Sequence, residues 1–500
     1  MGLAASIFQS SDQEIKSTKS TKAGKKAAGT KAERKQRAEE RAAALKKIED
    51  DHRAELLDDA FFLPPVRSST LEAAALYPSD FPDRPGLMPG SHKHLGGAYD
   101  PTDGCIYGVP ASSKAVLVMH PTKEGGCYKL DTIPLPKHIQ KRPYKWLRGI
   151  VHDGYLWAIP SWANAVLCVD IDAHWGRRPL PEGQTDVVNL IPLPEEHPDN
   201  MEWQWHGASM NMEKTHIYCI PSNAEKVLVV DVQNKTTSFI DIEYDQEKYP
   251  EFSPKVTNCW YGGIAGKDNA VYGMPYRAAG VLRIDCNDNT AKLIGPNYGV
   301  GKYFWHGGIQ INGKIYAHPS HAPDTVLVVD TNVDKRGEVT ELPIHRAEYD
   351  KDPRNNYKWL GGAVGADGHI YCPACDTSSI LKINATTDHC ETFGFVGKEK
   401  NKWQGGILGR DNCIYTIPAD GTHICRILTD PSVEGENPYQ LLGGIPAHKD
   451  KWQGAGVGKD GSLYFVPENG YRVMRVTPPE EVPKLIDGKL PEGDVKIELM

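Results

Sequence analysis

From about residue 92 the apolar residues fall in short bursts that alternate with polar ones, and the bursts return in the same order. One phrase recurs, roughly K-W-x-G-G-φ-x-x-x-D-G-x-φ-Y-x-φ-P-x-x-A-x-x-V-L-φ-φ-D, with φ an apolar residue. The clearest copies are Lys358-Trp359-Leu360-Gly361-Gly362 with Asp367-Gly368-His369-Ile370-Tyr371, and Lys402-Trp403-Gln404-Gly405-Gly406 with Ile414-Tyr415-Thr416-Ile417-Pro418. Each copy parses as four short strands. Gly-Gly-φ is the first, and Asp-Gly, Asn-Gly or Asp-Asn pairs (103–104, 153–154, 268–269, 312–313, 367–368, 411–412, 460–461) make a tight turn. The φ-Tyr-x-φ-Pro run returns as the second, stopped by its proline. V-L-φ-φ-D is the third, and a looser segment such as 237–242 or 290–294 is the fourth. No helical period interrupts the pattern.

The Trp-equivalent positions are 94, 146, 205, 260, 305, 359, 403 and 452, with His94 standing where the other copies have Trp. Their steps run from 44 to 59 residues, which marks a repeat architecture. Four antiparallel strands per repeat of this length, set in a ring, make a β-propeller blade. The expectation is an all-β chain with a single β-propeller of eight four-stranded blades over 92–480, seven being the alternative. Residues 1–62 are expected as a basic arm, disordered then helical; 63–91 as a linker and ring-closing segment; 481–500 as a tail. Either 63–91 or Val495–Met500 is expected to close the circle, because closure removes free sheet edges. The cadence resembles propellers of the NHL and virginiamycin B lyase type. It is most similar to proteins of algae and other protists carrying tandem W-x-G-G…IY-x-I-P…VL-x-I-D repeats. That resemblance implies a fold; propellers host lyases, lactonases, sensors and scaffolds alike.

Composition agrees with many short strands. Gly and Pro together make 85 of the 500 residues, and 22 Tyr and 11 Trp stand beside them. No run of 18 apolar residues exists, so no membrane-spanning helix is expected. The N-terminus lacks an apolar signal core, and the 11 cysteines are scattered singly. Both point to a reduced, cytoplasmic protein that is not secreted.

Charge is placed unevenly. Residues 1–53 hold 13 Lys and Arg against 8 Asp and Glu, a net of +5. The whole chain carries −8, so the remainder carries −13. Met1-Gly2-Leu3-Ala4-Ala5-Ser6 matches the acceptor pattern for N-myristoylation on Gly2. One myristoyl chain binds a membrane only marginally, and a polybasic stretch is the usual second signal. The Lys16–Lys47 stretch is therefore expected to serve an anionic membrane surface, nuclear import or a protein partner, without specific nucleic-acid recognition.

In a blade whose innermost strand comes first, the entry loop and the loop between strands two and three share one face. The residues around each Trp then converge on the mouth of the central channel. Lys145, Lys358, Lys402 and Lys451 precede a Trp; His206, His306, Gln404 and Gln453 follow one; Arg148 replaces the first Gly; His321 lies on the second loop. These ten are the candidate ligand-binding residues, and an electropositive rim would take an anionic small molecule or an acidic peptide. The Trp itself reads as an inter-blade packing residue, and the Asp closing V-L-φ-φ-D as a turn residue. His206 and His306 are the candidate catalytic pair, which the lyase resemblance would use as acid and base across the channel. Cys372-Pro373-Ala374-Cys375 lacks the second pair that zinc requires. No metal or cofactor is expected, and the Glu, Asn and Asp of lactonase propellers have no one-to-one match. Two functions stay open: a scaffold or ligand-binding propeller tethered through Gly2, and a lyase- or hydrolase-like enzyme at the channel mouth.

Overall fold

The structure is a computed structural model that describes residues 88, 90–120, 129–347, 350, 357–433 and 437–500. The expected arm, its helix and Gly2 lie outside these residues. Eight four-stranded antiparallel units follow one another along the chain: 94–134, 146–192, 205–240, 260–294, 305–345, 363–393, 403–442 and 452–499. They are blades 1 to 8. Within each, the strands lie in sequence order from the inside out. The innermost strands of blades 8 and 1 meet as those of blades 1 and 2 do, so the units close into a ring. The eight repeats of the sequence are eight blades.

The last blade finishes itself. Lys496–Leu499 pairs antiparallel with Met474–Thr477 as its outermost strand, so the ring runs past the expected boundary at 480. Among the described residues, 88–91 contribute no strand. Met88 instead donates its backbone N–H to the carbonyl of Tyr471 at 2.7 Å. Met88 and Met500 pack with Ile106, Leu117, Tyr464 and Val466 in the joint between blades 8 and 1.

The tryptophans explain why one residue type recurs at one register. All seven are 3% exposed or less. Each donates its indole N–H, at 2.7–3.2 Å, to a backbone carbonyl at the start of the third strand of its own blade. Each ring also packs on the preceding blade: Trp146 beside Tyr107 and Val116, Trp260 beside Tyr218 and Val227, Trp403 beside Tyr371 and Ile380. The core is thus eight apolar layers between blades. In blade 1, buried His94 sets Nδ1 3.2 Å from the Pro467 carbonyl oxygen of blade 8, and burial lowers its pKa to about 3.

Turns follow the expected chemistry. Asn312 and Gly313 both take positive φ, 52° and 80°, as a two-residue hairpin requires. The turn Asp does more than turn. Asp411 accepts from Tyr415 and from Arg426 on the third strand, each at 2.8 Å, and Asp268 and Asp460 repeat the arrangement. Two joints add backbone pairing: Ile242–Glu243 runs parallel to the outermost strand of blade 4, and Ile344 and His345 run parallel to that of blade 6.

Candidate functional site: the central channel

The innermost strands crowd the axis because of their glycines. The residue two after the repeat Trp has φ between +63° and +117° in seven of eight blades, which favours glycine. At this level neighbouring backbones touch. A Cβ on Gly207 would stand 1.6 Å from the Gly262 carbonyl oxygen, and one on Gly361 would stand 3.0 Å from the Gly405 Cα. The result is a collar of glycines around a cavity of about 610 Å3.

One collar position breaks the rule. Arg148 occupies it at φ +63°, a conformation that disfavours side chains. Such strain gathers at functional sites. Arg148 lines the cavity with Gln404, Gln453, His306, His318, Gln310 and Ser209. Among the described residues lining it, Arg148 is the one with a formal charge, and none is a carboxylate. Burial lowers the Arg148 pKa to about 10, still charged at neutral pH. Isoleucines 150, 159, 264, 309 and 417 and leucines 147 and 360 form the apolar wall. Gln404 Oε1, Gln453 Oε1, His306 Nδ1 and His318 Nε2 are buried without a hydrogen-bond partner. Buried polar atoms of this kind are rare without a reason.

His206 stacks on Tyr261 at 3.7 Å between ring centroids, and His306 meets the same tyrosine edge-on at 4.7 Å. The two histidines are 6.0 Å apart, centroid to centroid. Burial first, and Arg148 after it, holds both well below the usual histidine pKa. His318 is lowered by burial to about 4. All three are therefore neutral at physiological pH. On blades 1, 2 and 4 the residues after the Trp-equivalent position pack away from solvent: Leu95, Leu147 and Tyr261 join Trp203 and Tyr276 in one buried cluster.

The lysines do not make an electropositive rim, and the reason is visible in their hydrogen bonds. Lys145 is buried and donates to the carbonyls of Ala111, Ser113 and Arg142 at 2.7–3.0 Å. Lys402 does the same with Cys375, Thr377 and Glu399 at 2.6–3.2 Å. Lys451 reaches Ala419 and His448; Lys358 reaches the Ala322 carbonyl and lies 3.5 Å from Asp324. Each ammonium ties its blade to the loop of the blade before it. Burial lowers Lys145 to about 7 and Lys402 and Lys451 to about 8, and the carbonyls offset that cost. His321 lies outside the cavity wall, 5.3 Å from the Tyr303 ring and 4.8 Å from that of Tyr357, centroid to centroid. In blade 3, Gln204 takes the lysine's place and donates from Nε2 to the Ala163 carbonyl at 2.9 Å. Lys402→Met is accordingly expected to lower stability by about 2–4 kcal/mol, because buried carbonyls lose their donor. Lys402→Gln is expected to lose less than half of that, and urea midpoints of the two variants decide it.

Cys372 and Cys375 are free and buried, with both thiols pushed up by burial. The described residues hold no group of three or more His, Cys, Asp or Glu side chains placed to bind a metal ion.

Fold and channel together define an eight-bladed β-propeller with a lined central cavity. No family model and no curated protein matches the chain. Among solved structures it is similar to a streptogramin B lyase at 13% identity and a TM-score of 0.44, covering 77% of this chain and 92% of that one. It is also similar to a virginiamycin B lyase from Staphylococcus aureus (13%, 0.44, covering 64% and 90%) and to U3-55K (11%, 0.41, covering 64% and 86%). The likeness is to propellers in general, and no residue's role carries over from them.

Proposed function

We propose that this propeller is a ligand-binding protein that takes a small anion into its central channel. The observation that carries the reading is Arg148, a charged side chain set in a left-handed collar position where the repeat otherwise keeps glycine. A guanidinium attracts negative charge and can hold a carboxylate through two parallel hydrogen bonds, and no carboxylate stands among the described residues of the wall. An acid–base role for the His206 and His306 pair gains little support, since both are held neutral, which leaves neither a proton to donate as the acid, and His206 is not among the described residues lining the cavity. Arg148→Gly restores the repeat residue, so the variant is expected to unfold at the same or a higher urea concentration. It is expected to bind anions at least about tenfold more weakly, the scale of one lost charged hydrogen bond. Calorimetric titration with acetate, octanoate and inorganic phosphate checks this, and equal binding by both proteins would refute it.

The same proposal places the ring at an anionic cytoplasmic membrane face, through an acyl chain on Gly2 and the Lys16–Lys47 stretch; it rests on the Met1–Ser6 motif and the charge pattern. Acylated protein is expected to float with anionic liposomes and to be released as salt rises, because screening acts over roughly 8–10 Å. Flotation unaffected by Gly2→Ala would end the tether reading.

A further inference from the structure

We infer that the channel also binds an uncharged polyhydroxyl compound, of the sugar or cyclitol kind, through acceptors that blades 5, 7 and 8 turn into the cavity. The inference goes beyond the anion reading, does not draw on Arg148, and stands or falls separately from that reading. Gln404 and Gln453 occupy one register of the neighbouring blades 7 and 8, and His318 lies on the second strand of blade 5. All three line the cavity and are 6% exposed or less. Gln404 Oε1, Gln453 Oε1 and His318 Nε2 are each buried without a hydrogen-bond partner. Leaving such an atom unpaired costs about 1–3 kcal/mol, so a wall that keeps three of them is shaped for a group that supplies the missing bonds. His318 is also no requirement of the blade, since Ile220, Met274 and Ile417 fill its register in blades 3, 4 and 7.

Groups outside the cavity fix the polarity of these atoms. Asn401 Nδ2 donates to Asp420 Oδ1 and to Asp450 Oδ1, each at 3.0 Å, and Asp420 Oδ1 also accepts from the Asp450 N–H at 2.9 Å. The Asn401 amide therefore turns its Oδ1 to Gln404, which donates from Nε2 at 3.1 Å and is left with its carbonyl towards the cavity. His318 sets Nδ1 3.3 Å from the His306 carbonyl oxygen, which can only accept, so the ring proton sits on Nδ1. Burial keeps that ring neutral, with its pKa lowered to about 4, and Nε2 is a bare acceptor. The guest must donate. A protonated amine donates but brings a charge, and no carboxylate stands among the described residues of the wall to match it. Hydroxyl groups donate without charge and rotate to suit their acceptors. A compact body with hydroxyls on several carbons reaches three blades at once, and its C–H faces meet Ile309 and Ile417, which blades 5 and 7 also present. The cavity of about 610 Å3 lies in the range of small-molecule sites.

Calorimetric titration of the full chain with myo-inositol, glucose, cyclohexanol and methylammonium tests this, with acetate as a separate arm for the anion site. Both polyols are expected to bind. Cyclohexanol, a ring with one hydroxyl, is expected to bind at least about tenfold more weakly, because it leaves acceptors unpaired. His318→Ile and Gln404→Leu are each expected to weaken polyol binding at least about tenfold. His318→Ile installs the residue of blade 7 and is expected to keep the urea midpoint, so its lost binding is not lost folding. No polyol binding by wild type, cyclohexanol or methylammonium bound more tightly than either polyol, or equal polyol binding by wild type and both variants would overturn the inference. Acetate binding lost in Arg148→Gly would uphold the anion reading whichever way the polyols fall.

Discussion

Trp403→Ala is expected to destabilise the protein by about 3–5 kcal/mol, the range for emptying a large aromatic site in a core. Trp403 is 2% exposed and lies in the layer between blades 6 and 7, among Tyr371, Ile380, Ile414 and Cys425. Its indole N–H, 2.7 Å from the His423 carbonyl oxygen, is the buried donor for that group, so truncation leaves a cavity and an unpaired acceptor together. Trp403→Phe keeps most of the packing and loses only the hydrogen bond, and is expected to cost about 1–2 kcal/mol. Trp403 is absent from the cavity wall, so anion titration of either variant under native conditions should match wild type. A variant that kept its urea midpoint and lost the ligand would contradict the packing role.

Gly207→Ala is expected to be worse than any truncation. The residue has φ +104°, and an added Cβ would fall 1.6 Å from the Gly262 carbonyl oxygen of the next blade. Backbone cannot swing aside as a side-chain tip does, so blades 3 and 4 must part at the axis. A loss above about 4 kcal/mol, or a chain that does not fold, is the expected result. Gly299→Ala isolates conformational strain from collision, because Gly299 has φ +75° with nothing within 4 Å of its added Cβ. It is expected to cost only about 1 kcal/mol. Similar urea midpoints for the two variants would mean that the collar is looser than drawn.

The ring was readable in the chain because each blade repeats its packing unit, and the Trp, Gly-Gly, turn and Pro positions of one copy identify those of the next. The site was readable only where it departs from that unit. Arg148 stands where the neighbouring repeats have Gly, and it lines the channel together with His306, Gln404 and Gln453. Two more departures carried the same signal and were passed over. Gln310 is polar where the neighbouring blades have Ala265 and Val364, and Ser209 where they have Ile150 and Ile264. The lysines misled because Lys beside Trp is equally consistent with an ammonium facing the axis and one facing the preceding blade. Gln204 was the clue: glutamine shares a hydrogen-bond donor with lysine but not its charge. The Asp–Tyr–Arg clusters were likewise hidden, since Asp411 and Arg426 are 15 residues apart and meet only when the third strand folds back beside the second.

The two joints with parallel strand pairing divide the ring mechanically. Blades 3 and 4, and blades 5 and 6, are coupled by backbone ladders at the rim. At the other joints the blades are held by side-chain packing, lysine-to-carbonyl bonds and ion pairs such as Arg426–Asp494, beside backbone bonds near the entry loop such as that from Lys145 N to the Ala111 carbonyl oxygen at 3.0 Å. Ladders resist sliding and spreading more than packed side chains do, so the elasticity of the ring is lopsided. The arc without rim ladders runs through blades 7, 8, 1 and 2. Arg148, Gln404 and Gln453 all stand on it, whereas His306 and His318 stand on the clamped pair of blades 5 and 6. A guest of varying girth would thus be gripped against a fixed wall by a yielding one, with its charged end on the side that gives.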